Sequence, residues 1–355
     1  MKQICILRLS ALGDCCHALS VIEALQRKLP SARLAWVIGK TEYQLFRDLP
    51  GIDFIVVDKA NLLKSFFSVF SESRKREFDV LLNLHASASA NFISLAIKSI
   101  RKIGYDKARA RDKQSWFCGE SINAVDCQHV AEGMMEFVRA LDIEVDKPKW
   151  TPLSLEPEET EVVEYIDIGR KTCLISPCSS QRYGDKYNRS WPVEKFVEVI
   201  RYLSEEKRLR VIVCGGRSPL EVSYCRKLNA EKFDGNVLNL IGKTSIREMA
   251  ALIKSVDFVI SPDSGPAHIA TVMKKPVIGL YSMSNPDRSG PYDSGRWLVN
   301  RYPQALSRYR SAKVNEVKWG QKVKTPDAMA MIEVPSVLDK IDGLLRDLDR
   351  QSSEK

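Results

Sequence analysis

Short apolar runs, each followed by apolar residues at helical spacing, recur along this chain and restrict its fold more than any other feature. Residues 4–9 form the first run. Gly13-Asp14 follows, and Ala18, Val21, Ile22, Leu25 and Leu29 then repeat with the period of one helix face. Further runs cover residues 34–38, 54–57, 80–85 and 103–105, with helical patterns at 62–76, 86–98 and 129–141. A continuous apolar run suits a strand covered on both faces, and strands alternating with helices predict a parallel, doubly wound sheet. Residues 146–160 interrupt the pattern with Lys147-Pro148-Lys149, Pro152 and Pro157, a linker composition. The alternation then restarts. Strands are predicted at 173–176, 210–214, 237–241, 258–260 and 276–281, and helices at 192–203, 219–228, 246–254 and 266–273. The predicted fold class is α/β with two tandem Rossmann-like domains, residues 1–155 and 165–335. A terminal amphipathic helix at 336–350 carries Val337, Ile341, Leu344, Leu345 and Leu348. Residues 282–334 read as loop-rich, and 351–355 as a disordered tail.

A chain of 355 residues is long enough for two cores, and 44% hydrophobic with 28% charged residues is a globular composition. No apolar run approaches the roughly 20 residues that span a bilayer. The first residues lack the apolar core of a secretory signal, so a cytoplasmic location is expected. Nine cysteines without a C-x-x-C and four scattered histidines give no metal-site spacing, so no metal is expected. The net charge of +9 favours an acidic partner: nucleic acid, anionic lipid or a phosphorylated substrate. Zinc-finger spacing, an RNA-binding signature and a long basic arm are all missing, so nucleic acid is not the expected partner.

Ligands of doubly wound sheets bind at the carboxyl ends of the strands. Four stretches with suitable chemistry fall there. The first is Arg8-Leu9-Ser10-Ala11-Leu12-Gly13-Asp14, where Asp14 is either an N-cap or a general base. His17, one turn on, reads as a packing residue. The second runs from Ser176 to Pro192; its hydroxyls Ser179 and Ser180 and a guanidinium such as Arg189 suit a diphosphate. The third is Cys214-Gly215-Gly216-Arg217-Ser218-Pro219-Leu220-Glu221, with glycines where a nucleotide can press on backbone. It is not a G-x-G-x-x-G fingerprint. The fourth is Asp263-Ser264-Gly265-Pro266-Ala267-His268. Here Asp263 and Ser264 are predicted to cap a helix, Pro266 fits its first turn, and its N–H groups suit an anion.

Arg8-x-Ser10-x-x-Gly13-Asp14, the Trp191-Pro192 loop and Asp263-Ser264-Gly265-x-x-His268 resemble the bacterial heptosyltransferases of glycosyltransferase family 9, and residues 284–292 are most like the heptosyltransferase I branch. The resemblance implies a GT-B fold, its two domains facing across a cleft, that needs no metal or other cofactor. It implies an ADP-heptose donor, a Kdo-lipid A acceptor and inversion at the anomeric carbon. By position, Asp14 becomes the catalytic base. Ser179, Ser180 and Arg189 face the diphosphate, with Lys186 the alternative cation. Glu221 and Thr244 meet the nucleoside, and Asp263, Ser264, Gly265 and His268 hold diphosphate and sugar. Arg8, Ser10 and Gly13 line the acceptor side, and the basic residues Lys64, Arg101 and Arg111 are assigned to its anionic groups or to a solvated face. The helix at 62–76, with Phe66, Phe67 and Phe70, suits peripheral association with the anionic cytoplasmic face of the inner membrane. Heptosyltransferase II or another nucleotide-sugar transferase of the same fold, an epimerase or hydrolase of the same architecture, and a non-catalytic nucleotide-binding or nucleic-acid-binding module remain alternatives.

Overall fold

The computed structural model describes residues 2–167, 169–179 and 187–353. The chain divides into two compact units, Met1–Ser154 and Leu155–Lys355. The first contains β1 (Gln3–Leu7), β2 (Arg33–Gly39), β3 (Ile52–Val57), β4 (Phe78–Asn83), β5 (Ser99–Gly104) and β6 (Glu120–Ser121). Their order across the sheet is β3-β2-β1-β4-β5-β6, all parallel. The second contains β7 (Thr172–Ile175), β8 (Arg210–Val213), β9 (Val237–Asn239), β10 (Phe258–Pro262), β11 (Val277–Tyr281) and β12 (Val299–Asn300), in the order β12-β11-β10-β7-β8-β9. Numbered within its own unit, each sheet repeats one topology. The strand order therefore reverses between β1 and β4 in the first unit, and between β7 and β10 in the second. Those switch points are where the loops part and leave a crevice.

The central strands carry the apolar runs because helices cover both faces; all five residues of β10 and of β11 are buried. The helix Leu12–Lys28 packs on the helix Val130–Arg139, which buries Met134, Met135, Phe137 and Val138. His17 lies in this packing, its ring edge-on to His129 at 5.4 Å between centroids and 6.4 Å from Trp150.

The chain departs from sequence expectation where the local signal is short. β6 and β12 are two residues each, too brief for any period to register. The stretch read as loop-rich holds the helix Tyr302–Arg310, which buries Tyr302, Ala305 and Leu306, with Tyr309 packed partly against the core, too few positions for a clear period. The terminal helix is Val334–Ser353, so residues 351–353 extend it instead of forming a tail. It docks on the second unit through Val337, Ile341 and Leu344, and Asp342 accepts a hydrogen bond from the Tyr202 hydroxyl at 2.6 Å. The linker composition at 146–160 hides two anchored pieces. Trp150 donates to the Cys16 carbonyl at 2.7 Å in the first unit. In the second, Glu158 pairs twice with the buried Arg247, at 2.6 and 3.0 Å.

All nine cysteines are free, and most are buried. Burial pushes the Cys178 and Cys214 thiols up to about 12, which leaves almost no thiolate at neutral pH. Cys127 is exposed and Cys225 half-buried. Titration of the native protein with an aromatic disulfide reagent is expected to show one fast thiol, abolished by Cys127→Ser. Several fast thiols would contradict this packing.

Candidate active site

At the first switch point, Arg8 leaves the end of β1 and reaches across to β4. Its guanidinium donates to the Leu84 carbonyl at 2.5 Å and forms an ion pair with the Asp14 carboxylate. Asp14 sits in the first turn of the helix Leu12–Lys28, where its Oδ2 also accepts the Ala11 N–H at 3.4 Å. An acidic side chain is favoured there because the first N–H groups of a helix lack partners. Burial works against the Arg8 charge, but Asp14 outweighs it and holds the guanidinium more firmly protonated than usual. Ser10 is half-buried in the loop between them, and Gly13 is buried in the first helical turn. Two groups that sequence reasoning did not single out complete the cluster. His85 Nδ1 accepts the Leu9 N–H at 3.2 Å, and the Tyr105 hydroxyl donates to the Leu84 carbonyl at 3.3 Å. Both are the last residues of apolar runs, at 80–85 and 103–105, which is their only sequence signal. Gly39, at the end of β2, donates to the Leu9 carbonyl at 3.0 Å; a Cβ there would lie 2.3 Å from that oxygen, so only glycine admits this approach.

The basic residues assigned to an acceptor do not gather at this point. Arg101 lies opposite Val80 in the β4–β5 register and makes a two-bond ion pair with Glu120 at 2.9 and 2.7 Å. Lys64 and Arg111 are exposed on separate elements. Arg109 is held by Asp106, Gln128 and the Asn123 carbonyl. On the helix Leu62–Arg74, Phe66 stacks at 4.8 Å on Phe92. Leu63, Phe67 and Phe70 form the exposed apolar stripe.

At the other switch point the guanidinium–carboxylate pair itself crosses, from the loop after β7 to the end of β10. Arg189, in the loop after β7, donates through Nε to the Asp263 carbonyl at 3.0 Å and lies 3.1 Å from its Oδ2. The Ser284 hydroxyl, after β11, donates to the same Oδ2 at 2.8 Å. Asp263 thus does not cap the helix Gly265–Val272. Nor does Ser264, which sits at the N-cap position while its hydroxyl bonds to Ser261 at 2.7 Å. The expected capping is corrected, and the physical reason is competition from a charged partner and a nearer hydroxyl. Pro266 occupies the first turn as expected, Gly265 opens the helix, and His268 is buried within it beside the Asp263 charge. Ser179 is buried and its Oγ accepts the Arg189 N–H at 2.7 Å, which fixes the backbone that presents this arginine. Ser180 and Lys186 lie outside the described residues.

The next two loops are tied together. Gly242 adopts φ +76°, a conformation that favours glycine, and its N–H donates to the Gly215 carbonyl at 2.9 Å. Arg217 returns a bond to the Gly242 carbonyl at 2.8 Å. Thr244 follows in the same turn, close to the buried Cys214 thiol. Glu221 closes a capping box with Ser218, accepting the Gly216 and Ser218 N–H groups at 2.6 and 2.9 Å.

Burial raises the Asp263 carboxyl, but Arg189 above all, then His268, Ser284 and Lys322, hold it below its ordinary value. A depressed folded pKa contributes stability that is fully present above the unfolded value of about 3.9 and drains away as pH falls through the folded one. We expect Asp263→Asn to cost about 1–3 kcal/mol at pH 7, with the deficit narrowing below about pH 4. Denaturant melts at several pH values measure this, and a pH-independent cost would contradict it.

Among the described residues, no helix is long and apolar enough to cross a membrane, and no group of three or more His, Cys, Asp and Glu is arranged to hold a metal. Two tandem Rossmann-like units, each a parallel sheet of one repeated topology with its own switch point, place the chain in the GT-B class. The profile of glycosyltransferase family 9 (heptosyltransferase) matches residues 66–315. The lipopolysaccharide core heptosyltransferase OpsX of Haemophilus influenzae is 35% identical over 343 residues, covering 97% of each chain. Among solved structures, the family 9 glycosyltransferase of Veillonella parvula superposes with a TM-score of 0.78 at 19% identity, covering 98% of both chains. Escherichia coli ADP-heptose lps heptosyltransferase II gives a TM-score of 0.73 at 17% identity, over 98% of this chain and 100% of that one. The chain belongs to glycosyltransferase family 9 and is a glycosyltransferase.

Proposed function

We propose that this enzyme transfers heptose from ADP-L-glycero-D-manno-heptose to the Kdo region of a Kdo-lipid A acceptor, with inversion, during assembly of the lipopolysaccharide inner core. The Asp14–Arg8 pair at the first switch point carries the reading: it is a carboxylate at a strand end, held in position by a buried cation. The 35% identity to a core heptosyltransferase along nearly the whole chain supports the substrate class.

In this reading the first unit supplies the base and the second binds the donor. Asp14 takes the proton of the acceptor hydroxyl as that oxygen attacks the anomeric carbon, and the bond from that carbon to the ADP oxygen breaks. A carboxylate is a weak base for a ground-state alcohol. It becomes adequate when the proton moves late, after the attacking oxygen has acquired positive charge. Charge growing on the departing diphosphate is met by Arg189, the Ser179 and Ser180 region and the helix start at Gly265. Asp263 holds Arg189, His268 steadies Asp263, and the tied loops of Thr244 and Glu221 receive the nucleoside. Arg8, Ser10 and Gly13 line the acceptor side. The exposed stripe Leu63, Phe67 and Phe70, with Lys64 and Arg74 on the same helix, suits an anionic membrane surface on the cytoplasmic face.

The test combines purified protein, ADP-heptose and defined Kdo-lipid A acceptors, read by mass spectrometry of the lipid. Addition of one heptose residue is the expected result. Transfer only to an acceptor already bearing heptose would move the reading to a second-heptose transferase. Heptose released to water at the same rate without acceptor would make the protein a hydrolase.

A further inference from the structure

The segment just beyond the family match brings two more cations to the second switch point. Val323 donates its N–H to the Met283 carbonyl at 3.0 Å, which fastens this segment to the loop after β11. The Tyr302 hydroxyl donates to the Gln321 carbonyl at 2.8 Å, and Gly320 lies against the Arg288 guanidinium, where an added Cβ would be 3.2 Å from Nε. Val323 is buried between the half-buried Lys322 and the exposed Lys324. Lys322 and Lys324 line a single small pocket with Arg189, Tyr187 and Met283. Arg189 is the cation already fixed across the switch point by Asp263. Both lysines lie outside residues 66–315, so the family match does not assign them.

We propose that Lys322 and Lys324 join Arg189 in a three-cation site for the diphosphate of a nucleoside diphosphate. The identity of the nucleotide rests on the function proposed above; the anion site does not. A multiply charged anion is the matching ligand, because each ammonium or guanidinium adds a charge-assisted bond to a phosphate oxygen. Arg189 contributes a fixed planar donor, and the lysines contribute compact charges on adjustable stems. Lys322 is also the last of the groups that hold the Asp263 carboxyl down, so its charge acts on the same crevice.

The test is calorimetric titration of wild type, the double variant Lys322→Gln/Lys324→Gln and the double variant Lys322→Arg/Lys324→Arg with ADP, inorganic pyrophosphate and adenosine. The Gln variant is expected to bind ADP and pyrophosphate about tenfold more weakly, with a shallower salt dependence. The Arg variant is expected to restore both, adenosine binding is expected to be unchanged, and thermal melts to coincide. ADP binding that is equal in all three proteins would overturn the site while leaving the nucleotide reading standing. Lysine-dependent pyrophosphate binding without ADP binding would keep the site and remove the nucleotide. Wild-type protein that binds neither probe would overturn both.

Discussion

Asp14→Asn is expected to lower kcat by about 10²–10⁴-fold while leaving ADP affinity within about twofold of wild type. The amide keeps the size of the carboxylate but cannot accept the proton that the acceptor hydroxyl must lose. Donor affinity is the control, because the groups assigned to the diphosphate lie in the second unit around Arg189 and Asp263. Stability should be measured alongside. Arg8 is buried, donates to the Leu84 carbonyl and relies on Asp14 for its counter-charge. An uncompensated guanidinium at this position is expected to cost about 1–3 kcal/mol. Steady-state kinetics at a temperature well below the variant's melting point separates lost chemistry from lost folding. An Asn variant that turns over at the wild-type rate would remove Asp14 from the reaction.

Trp191→Ala is expected to destabilise the second unit by about 3–5 kcal/mol, the range for truncating a large buried aromatic. In melting temperature this is a drop on the order of 10 °C for a unit of this size. Trp191 is wholly buried and meets Phe196 edge-on at 5.0 Å. Its indole N–H donates to the Ile332 carbonyl at 3.0 Å, and its own carbonyl accepts the Tyr224 hydroxyl at 2.7 Å. Truncation therefore opens a cavity and removes one of two donors to the Ile332 carbonyl, leaving Lys195 Nζ at 2.7 Å as the other. Trp191→Phe should cost about 1–2 kcal/mol, since the aromatic contact survives and the hydrogen bond does not. The change also reaches the site: Arg189 stands two residues before this anchor, so the Ala variant should bind ADP more weakly even where it remains folded. Calorimetric melts and ADP titration measure the two effects. An Ala variant within about 1 kcal/mol of wild type would show that the cavity refills and the loop is anchored elsewhere.

Both experiments concern residues that were visible in the sequence, for different reasons. Asp14 follows an apolar run and a glycine at the start of a helical period. Trp191-Pro192 opens another helix. Such signals are local, since strand and helix periods and turn chemistry are set within a few residues. The same locality made the alternation along residues 1–281 legible as two parallel sheets, and it pointed to the strand ends that carry Asp14 and Asp263-Ser264-Gly265.

What the sequence left open is how those ends are wired. Arg8 and Leu84 are 76 residues apart, Arg189 and Asp263 are 74 apart, and only the strand orders place each pair across a switch point. That pairing takes Asp263 from its expected capping role into an ion pair. Neighbouring strands likewise set Arg101 against Glu120 on the β5–β6 edge, and packing on Phe92 turns Phe66 inward while Leu63 stays exposed. Lys322 and Lys324 gave no sequence signal at all, because their segment has no period and takes its course from the Met283 carbonyl. The sequence by itself determined the layers and the positions of the loops. Only the tertiary structure decided which charges meet, because a side chain's partner depends on the strand that lies beside it.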